Sequence, residues 1–85
     1  MAYSVGMDEL NEMDARILNF EERAPKSLGA KEDAIRKHLG ISPVRYYQRL
    51  NQLIEDPTAI AKKPMLTARL RRLRDRRQAA WRSQH

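Results

Sequence analysis

Apolar positions recur every three to four residues along most of the chain, and the breaks in that rhythm divide it into helices. From about Asn11 to Arg23, Met13, Ile17 and Phe20 form one stripe, extended by Leu10 and Ala24. That spacing belongs to an amphipathic helix. Asn11 is placed to cap it, Glu12 and Asp14 sit near its N-terminal dipole, and Pro25 ends it. Residues 24–29 read as a connection. A second helix is predicted over Ala30 to Leu39, with Ala34, Ile35 and Leu39 inward, His38 at the margin of that face, and Lys31, Arg36 and Lys37 outward. A third runs from Pro43 to about Glu55. At 100° per residue Tyr46, Leu50, Leu53 and Ile54 share its inner face, with Tyr47 at the edge. Asp56 can cap a short helical turn over Pro57–Ala61, from which Ile60 would pack on the core. After Lys63-Pro64 a last helix extends to about Arg82. Its stripe is Met65 or Leu66, then Leu70 and Leu73, after which Arg77 and Ala80 break the seam. The first half of this helix is expected to pack on the preceding domain and the second half to project. Trp81 is either a terminal packing anchor or a stacking group, with packing the expected role. Sustained heptads are absent, so no long coiled coil is predicted.

The junction between the second and third helices carries the most information. Gly40 can adopt the positive φ that ends a helix sharply. Ile41 is apolar inside a turn, which fits a turn facing a core. Ser42 is a good N-cap, and Pro43 suits the first helical position. Two helices joined by such a turn, with Ile35 four residues before Leu39, form a helix-turn-helix signature. The expected fold is therefore all-α: a three-helix helix-turn-helix head over residues 10–62, followed by a basic C-terminal helix and tail over 63–85. Residues 1–9 are expected to be a flexible N-terminus. Arg36 stands beside Ile35 where such motifs often have alanine, so the second helix is expected to be rotated slightly from their commonest geometry.

Charge sharpens this picture. Residues 62–85 carry nine Lys and Arg against Asp75 alone, a net +8, while residues 1–61 hold eight basic and ten acidic groups, a net −2. A near-neutral head with a basic tail points to a polyanion, nucleic acid first. A basic helix lying on an anionic membrane, or a merely solvated helix face, would give the same composition. The 85 residues suit one small domain. The chain has no cysteine, and its two histidines, His38 and His85, are far apart. No disulfide, metal site or cofactor is therefore expected. No apolar run spans a membrane, and the N-terminal residues turn acidic without a signal-peptide pattern. A cytoplasmic protein is the default reading.

On the third helix, the face opposite the core shows Val44, Arg45, Gln48 and Gln52, with Asn51 and Arg49 at its edges. Arginine pairs bidentately with guanine, glutamine and asparagine with adenine, and valine can touch a thymine methyl. The candidate base-contacting residues are Val44, Arg45, Gln48, Arg49 and Gln52. An inert exposed helix shows the same residue types; the capped turn upstream is what promotes them. Candidate phosphate contacts are Lys31, Arg36, Lys37, Ser42 and Tyr47 on the head, and Arg69, Arg71, Arg72, Arg74, Arg76 and Arg77 on the last helix. Arg69, Arg72 and Arg76 share one side, flanked by Arg71 and Arg74. Like charges at this density destabilise their own helix, so its far end is expected to gain order from a polyanion. The acidic outer face of the first helix, Glu9, Glu12 and Glu22, should repel phosphate and lie away from it.

The chain also resembles a small actinobacterial helix-turn-helix family catalogued as a domain of unknown function. The resemblance rests on Ile17-Leu18, Phe20-Glu21, Gly29-Ala30-Lys31-Glu32, Ala34-Ile35-Arg36, Arg45-Tyr46-Tyr47-Gln48, Leu50-Asn51, Leu53-Ile54, Pro57, Pro64-Met65-Leu66 and Leu70-Arg71-Arg72-Leu73-Arg74, and covers about residues 10–78. It implies a helix-turn-helix fold in bacterial cytoplasm and DNA binding in the nucleoid. Ala24-Pro25-Lys26-Ser27-Leu28 departs from the family, whose members often carry aromatics there. The turn is also similar to that of promoter-reading sigma-factor domains, through Leu39-Gly40-Ile41-Ser42 alone.

The expected function is double-stranded DNA binding, as a transcription regulator or a nucleoid-associated protein, with a second copy of the chain as one candidate partner. The alternative is a protein-interaction module docking on RNA polymerase or another DNA-bound protein. RNA is a third option, weakened by the lack of an aromatic sheet platform. No paired carboxylates in an apolar setting, no nucleophile–histidine set and no Gly-rich phosphate loop are present, so no enzyme is expected. With no separate sensing domain, no small-molecule ligand is expected either.

Overall fold

A computed structural model of the protein describes residues 10–84. The expected flexible N-terminus, residues 1–9, lies outside the described residues. Among the described residues five helices follow one another: α1 (Glu12–Arg23), α2 (Leu28–Ala34, continuing as a π-helical turn Ile35–Leu39), α3 (Pro43–Leu53), α4 (Pro57–Lys62) and α5 (Pro64–Gln84). The described residues contain no strand, so the fold is all-α.

The starts of α1 to α4 are each set by a local side-chain cap. The Asn11 side chain accepts from the Asp14 N–H at 2.7 Å, that of Ser42 from the Arg45 N–H at 3.1 Å, and that of Asp56 from the Thr58 N–H at 2.8 Å. Pro43 and Pro57 occupy first-turn positions, where a missing N–H costs nothing. Gly40 has φ 70° and donates its N–H to the Arg36 carbonyl at 3.1 Å, closing α2 in the left-handed region. One start differs from expectation. α2 begins at Leu28, not Ala30, because the Ser27 hydroxyl accepts from the Ala30 N–H at 3.3 Å and draws Leu28 and Gly29 into the helix.

The core gathers Ile17 and Leu18 of α1, Ile35 and Leu39 of α2, Tyr46, Leu50 and Leu53 of α3, Ile54 just after it, Ala59 of α4 and Leu66 of α5. Burying each large apolar side chain contributes roughly 1.5–3 kcal/mol. The inner stripe of α1 is centred one position away from the expected one. Asp14, Ile17 and Leu18 are buried at spacing i, i+3, i+4, and Met13 and Phe20 flank them half-buried. In α4, Ala59 is fully buried and Ile60 only half-buried, so the small residue makes the closest approach. In α5, Leu66 is buried and Met65 is 85% exposed. The π-helical turn keeps Ile35 and Leu39 in the core while Arg36, Lys37 and His38 stay exposed. The Arg16 guanidinium caps its end, donating to the His38 carbonyl at 2.7 Å.

α5 behaves as two halves. Thr67 is fully buried, and its hydroxyl donates back to the Lys63 carbonyl at 2.9 Å. Leu70 and Leu73 are half-buried, whereas residues 75–82 are all exposed. The helix leaves the head at that point, and the molecule measures 50 × 29 × 19 Å. Trp81, on the exposed far half of α5, is 63% exposed and so is not buried as a packing anchor.

Candidate nucleic-acid interface

The charged side chains divide into those the head consumes and those it leaves to solvent. Two carboxylates on α1, one buried and one half-buried, hold a cation each between helices. Asp14 is 4% exposed and binds Arg49 of α3 through two parallel bonds, Nε to Oδ1 at 2.7 Å and Nη2 to Oδ2 at 2.6 Å. A third donor of Arg49, Nη1, reaches Oε1 of Gln52 at 2.6 Å. The hydrogen bonds to Asp14 raise the Arg49 pKa above the ordinary guanidinium value, against a smaller opposing effect of burial.

One helical heptad along, Glu21 holds the second cluster. Its carboxylate lies 2.9 Å from Lys31 Nζ of α2 and accepts the Tyr46 hydroxyl of α3. The Lys31 ammonium also sits 5.7 Å and 5.3 Å from the ring centroids of Tyr46 and Tyr47, within cation–π range. Phe20 and Tyr47 meet Tyr46 edge to face at 5.7 and 5.1 Å. Glu21 thus joins three helices at one point.

Burial pushes the Tyr46 pKa far upward, and the hydrogen bond and charge of Glu21 push it further. Its folded pKa therefore exceeds its unfolded value of about 10, and the associated stability is present below pH 10 and lost as pH rises beyond it. Denaturant titrations between pH 9 and 11.5 should show stability falling with a Tyr46 contribution of up to about 1.4 kcal/mol per pH unit. Tyr46→Phe should show a shallower fall; an unchanged slope would mean that the hydroxyl ionises freely in the folded state.

The arginines of α5 divide along the same lines. Arg71 donates to the Ile54 carbonyl at 2.8 Å, closing the end of α3. Arg74 pairs with Glu55 and with Asp75, and these hydrogen bonds raise its pKa, Glu55 first. Arg69, Arg72 and Arg76 are exposed on the opposite side of the helix and form no ion pair among the described residues. Arg77 is exposed as well but turns toward a groove shared with Leu73.

Of the base-contacting candidates, Val44 (67% exposed), Arg45 and Gln48 lie open on α3. Arg49 and Gln52 are tied to each other, and Arg49 to Asp14. Of the phosphate candidates, Lys37 and Ser42 are exposed, Ser42 with its oxygen already capping α3, and Arg36 makes an exposed pair with Asp33 at 3.2 Å. Lys31 is not outward as expected: its side chain is 16% exposed, drawn in by Glu21 and the two rings. Tyr47 is half-buried against Tyr46.

Sequence reading missed Asp14 and Glu21 as internal anchors. The signal was present: positions 14, 17, 18 and 21 follow the i, i+3, i+4, i+7 rule, but two of the four are acids. Glu22, expected on an idle acidic face, pairs with Lys63 at 2.9 Å and ties α1 to the start of α5.

The fold and its exposed surfaces define a small all-α protein in which, among the described residues, most acids are paired while Arg45, Arg69, Arg72 and Arg76 are exposed without an ion pair. A family model described as "Protein of unknown function (DUF3263)" matches residues 9–82, and the chain belongs to that family. The resemblance to a family of unknown function read over residues 10–78 is borne out and spans slightly more of the chain. No match is found among curated proteins or among solved structures. No helix among the described residues is long and apolar enough to cross a membrane.

Proposed function

We propose that the protein binds double-stranded DNA, with α2 and α3 acting as a helix-turn-helix unit, and that it serves as a transcription regulator or a nucleoid-associated protein. One observation carries this reading. Lys31, Arg49, Arg71 and Arg74 are consumed inside the molecule, while Arg45 on α3 and Arg69, Arg72 and Arg76 on α5 remain exposed without an anionic partner among the described residues. A fold that only needed soluble charge would have no reason to set three unneutralised arginines together on the outer side of one helix. In this reading α3 enters the major groove with Val44, Arg45 and Gln48 leading, because the N-terminal part of a recognition helix reaches deepest. Arg49 acts from behind, holding α3 on α1. Lys37 and the outer arginines of α5 take phosphates.

The test compares duplexes of different base composition in competition titrations. Arg45→Ala should cost about 1–3 kcal/mol on preferred duplex, with a much smaller loss on random duplex. Equal losses on both would remove α3 from the role of reader.

A further inference from the structure

A groove of about 690 Å³ runs between the middle of α5 and the head. Leu50 and Ile54 form its floor, Leu70 and Leu73 one wall, and Tyr47 and Leu28 the other. Leu28 is 63% exposed although it opens a helix that packs on the core. Two cations stand at the rim, Lys26 and Arg77, both exposed and without an ion pair among the described residues. The acid in the wall, Glu21, is already satisfied by Lys31 and the Tyr46 hydroxyl. The groove is therefore apolar inside and positive at its edge. Its length along α5, from Leu70 to Gln78, is about 12 Å at 1.5 Å per residue, a little over two turns of a helix laid alongside.

We infer that this groove docks a short amphipathic helix of a partner protein, with apolar anchors at i, i+4 and i+7 and acidic residues flanking them. Helix-in-groove recognition needs such anchors, and the rim selects the sign of the flanks. A second copy is a poorer occupant. The projecting helix it would lend is α5, whose arginines would meet Lys26 and Arg77 with like charge. The inference does not depend on duplex binding. Leu28 and Arg77 face the groove, while Arg69, Arg72 and Arg76 lie on the other side of α5.

The experiment uses the full chain and a fluorescein-labelled synthetic peptide of about three helical turns, with Leu at i, i+4 and i+7 and Glu beside them. A scrambled peptide of identical composition controls for net charge. Fluorescence anisotropy should show the amphipathic peptide binding at least tenfold tighter than the scrambled one. Leu28→Gln, at an exposed site that leaves helicity unchanged by circular dichroism, should weaken it at least fivefold. Arg77→Gln should weaken it several-fold, and Arg72→Gln/Arg76→Gln should leave the preference over the scrambled peptide intact. Equal binding of the two peptides, or indifference to Leu28→Gln, overturns the proposal. So does Leu28-dependent binding to phosphatidylglycerol vesicles, or Leu28-dependent self-association in sedimentation equilibrium, where the peptide itself fails to bind.

Discussion

Replacing Arg69, Arg72 and Arg76 together with glutamine should lower affinity for any duplex by about 100-fold near 0.1 M salt, and should flatten the dependence of log affinity on log salt by about 2.7. The reasoning is counterion release. Each arginine that neutralises a phosphate frees close to one condensed cation, and the variant removes the three such contacts that the proposed duplex reading assigns to this face. These residues are exposed on the outer side of α5 and contribute no ion pair to the head, so the triple variant should keep its fold. It should even gain some helix stability, because like charges at i, i+3 and i+4 repel. Arg71→Gln provides the contrast. Arg71 holds the Ile54 carbonyl, so its loss should lower the unfolding midpoint and leave the salt slope nearly unchanged. Isothermal or anisotropy titrations at several salt concentrations distinguish the two outcomes. If the triple variant binds duplex with the parent's affinity and slope, α5 carries its charge for some other partner.

That experiment depends on a distinction that spacing alone gave only in part. Helical geometry placed Arg69, Arg72 and Arg76 on one side and put Arg71 and Arg74 at the flanks. What those flanking residues touch depends on where α5 crosses the end of α3, a tertiary fact with no local signature. Cap chemistry was legible at Asn11, Ser42-Pro43 and Asp56-Pro57, because each cap is a bond within three residues of itself. Ser27 escaped because Pro25 and Gly29 on either side look like loop, and a single hydroxyl tips the balance. Asp14 and Glu21 escaped for another reason. A search for apolar periodicity discards acids, and their partners Arg49 and Lys31 are 35 and 10 residues away in the chain. Arg49, expected among the base readers, carries a bond to Asp14 that the same search passes over. On a helical wheel it borders the polar face, and its bidentate bond to α1 is a contact that the wheel does not reveal.

The Asp14–Arg49 pair should therefore behave as a structural clamp with unequal partners. Asp14 has a side chain 6% exposed, whereas Arg49 is 39% exposed. Arg49→Met strands a buried carboxylate and should destabilise the fold by about 3–5 kcal/mol. That is a large part of the roughly 5–15 kcal/mol that holds a typical domain together. Asp14→Leu leaves a cation that can turn to water, and because solvent already screens it the cost should be smaller, about 1 kcal/mol or less. Asp14→Leu/Arg49→Met should restore most of the loss, since an apolar pair of similar volume often equals a buried ion pair. Urea denaturation of the four proteins gives the coupling free energy directly. The same set separates structure from recognition. If Arg49 only holds α3 against α1, the refolded double variant should rank duplexes as the parent does. Should it fold normally and yet lose its ranking, Arg49 reads bases and α3 enters the groove along a face rotated toward α1.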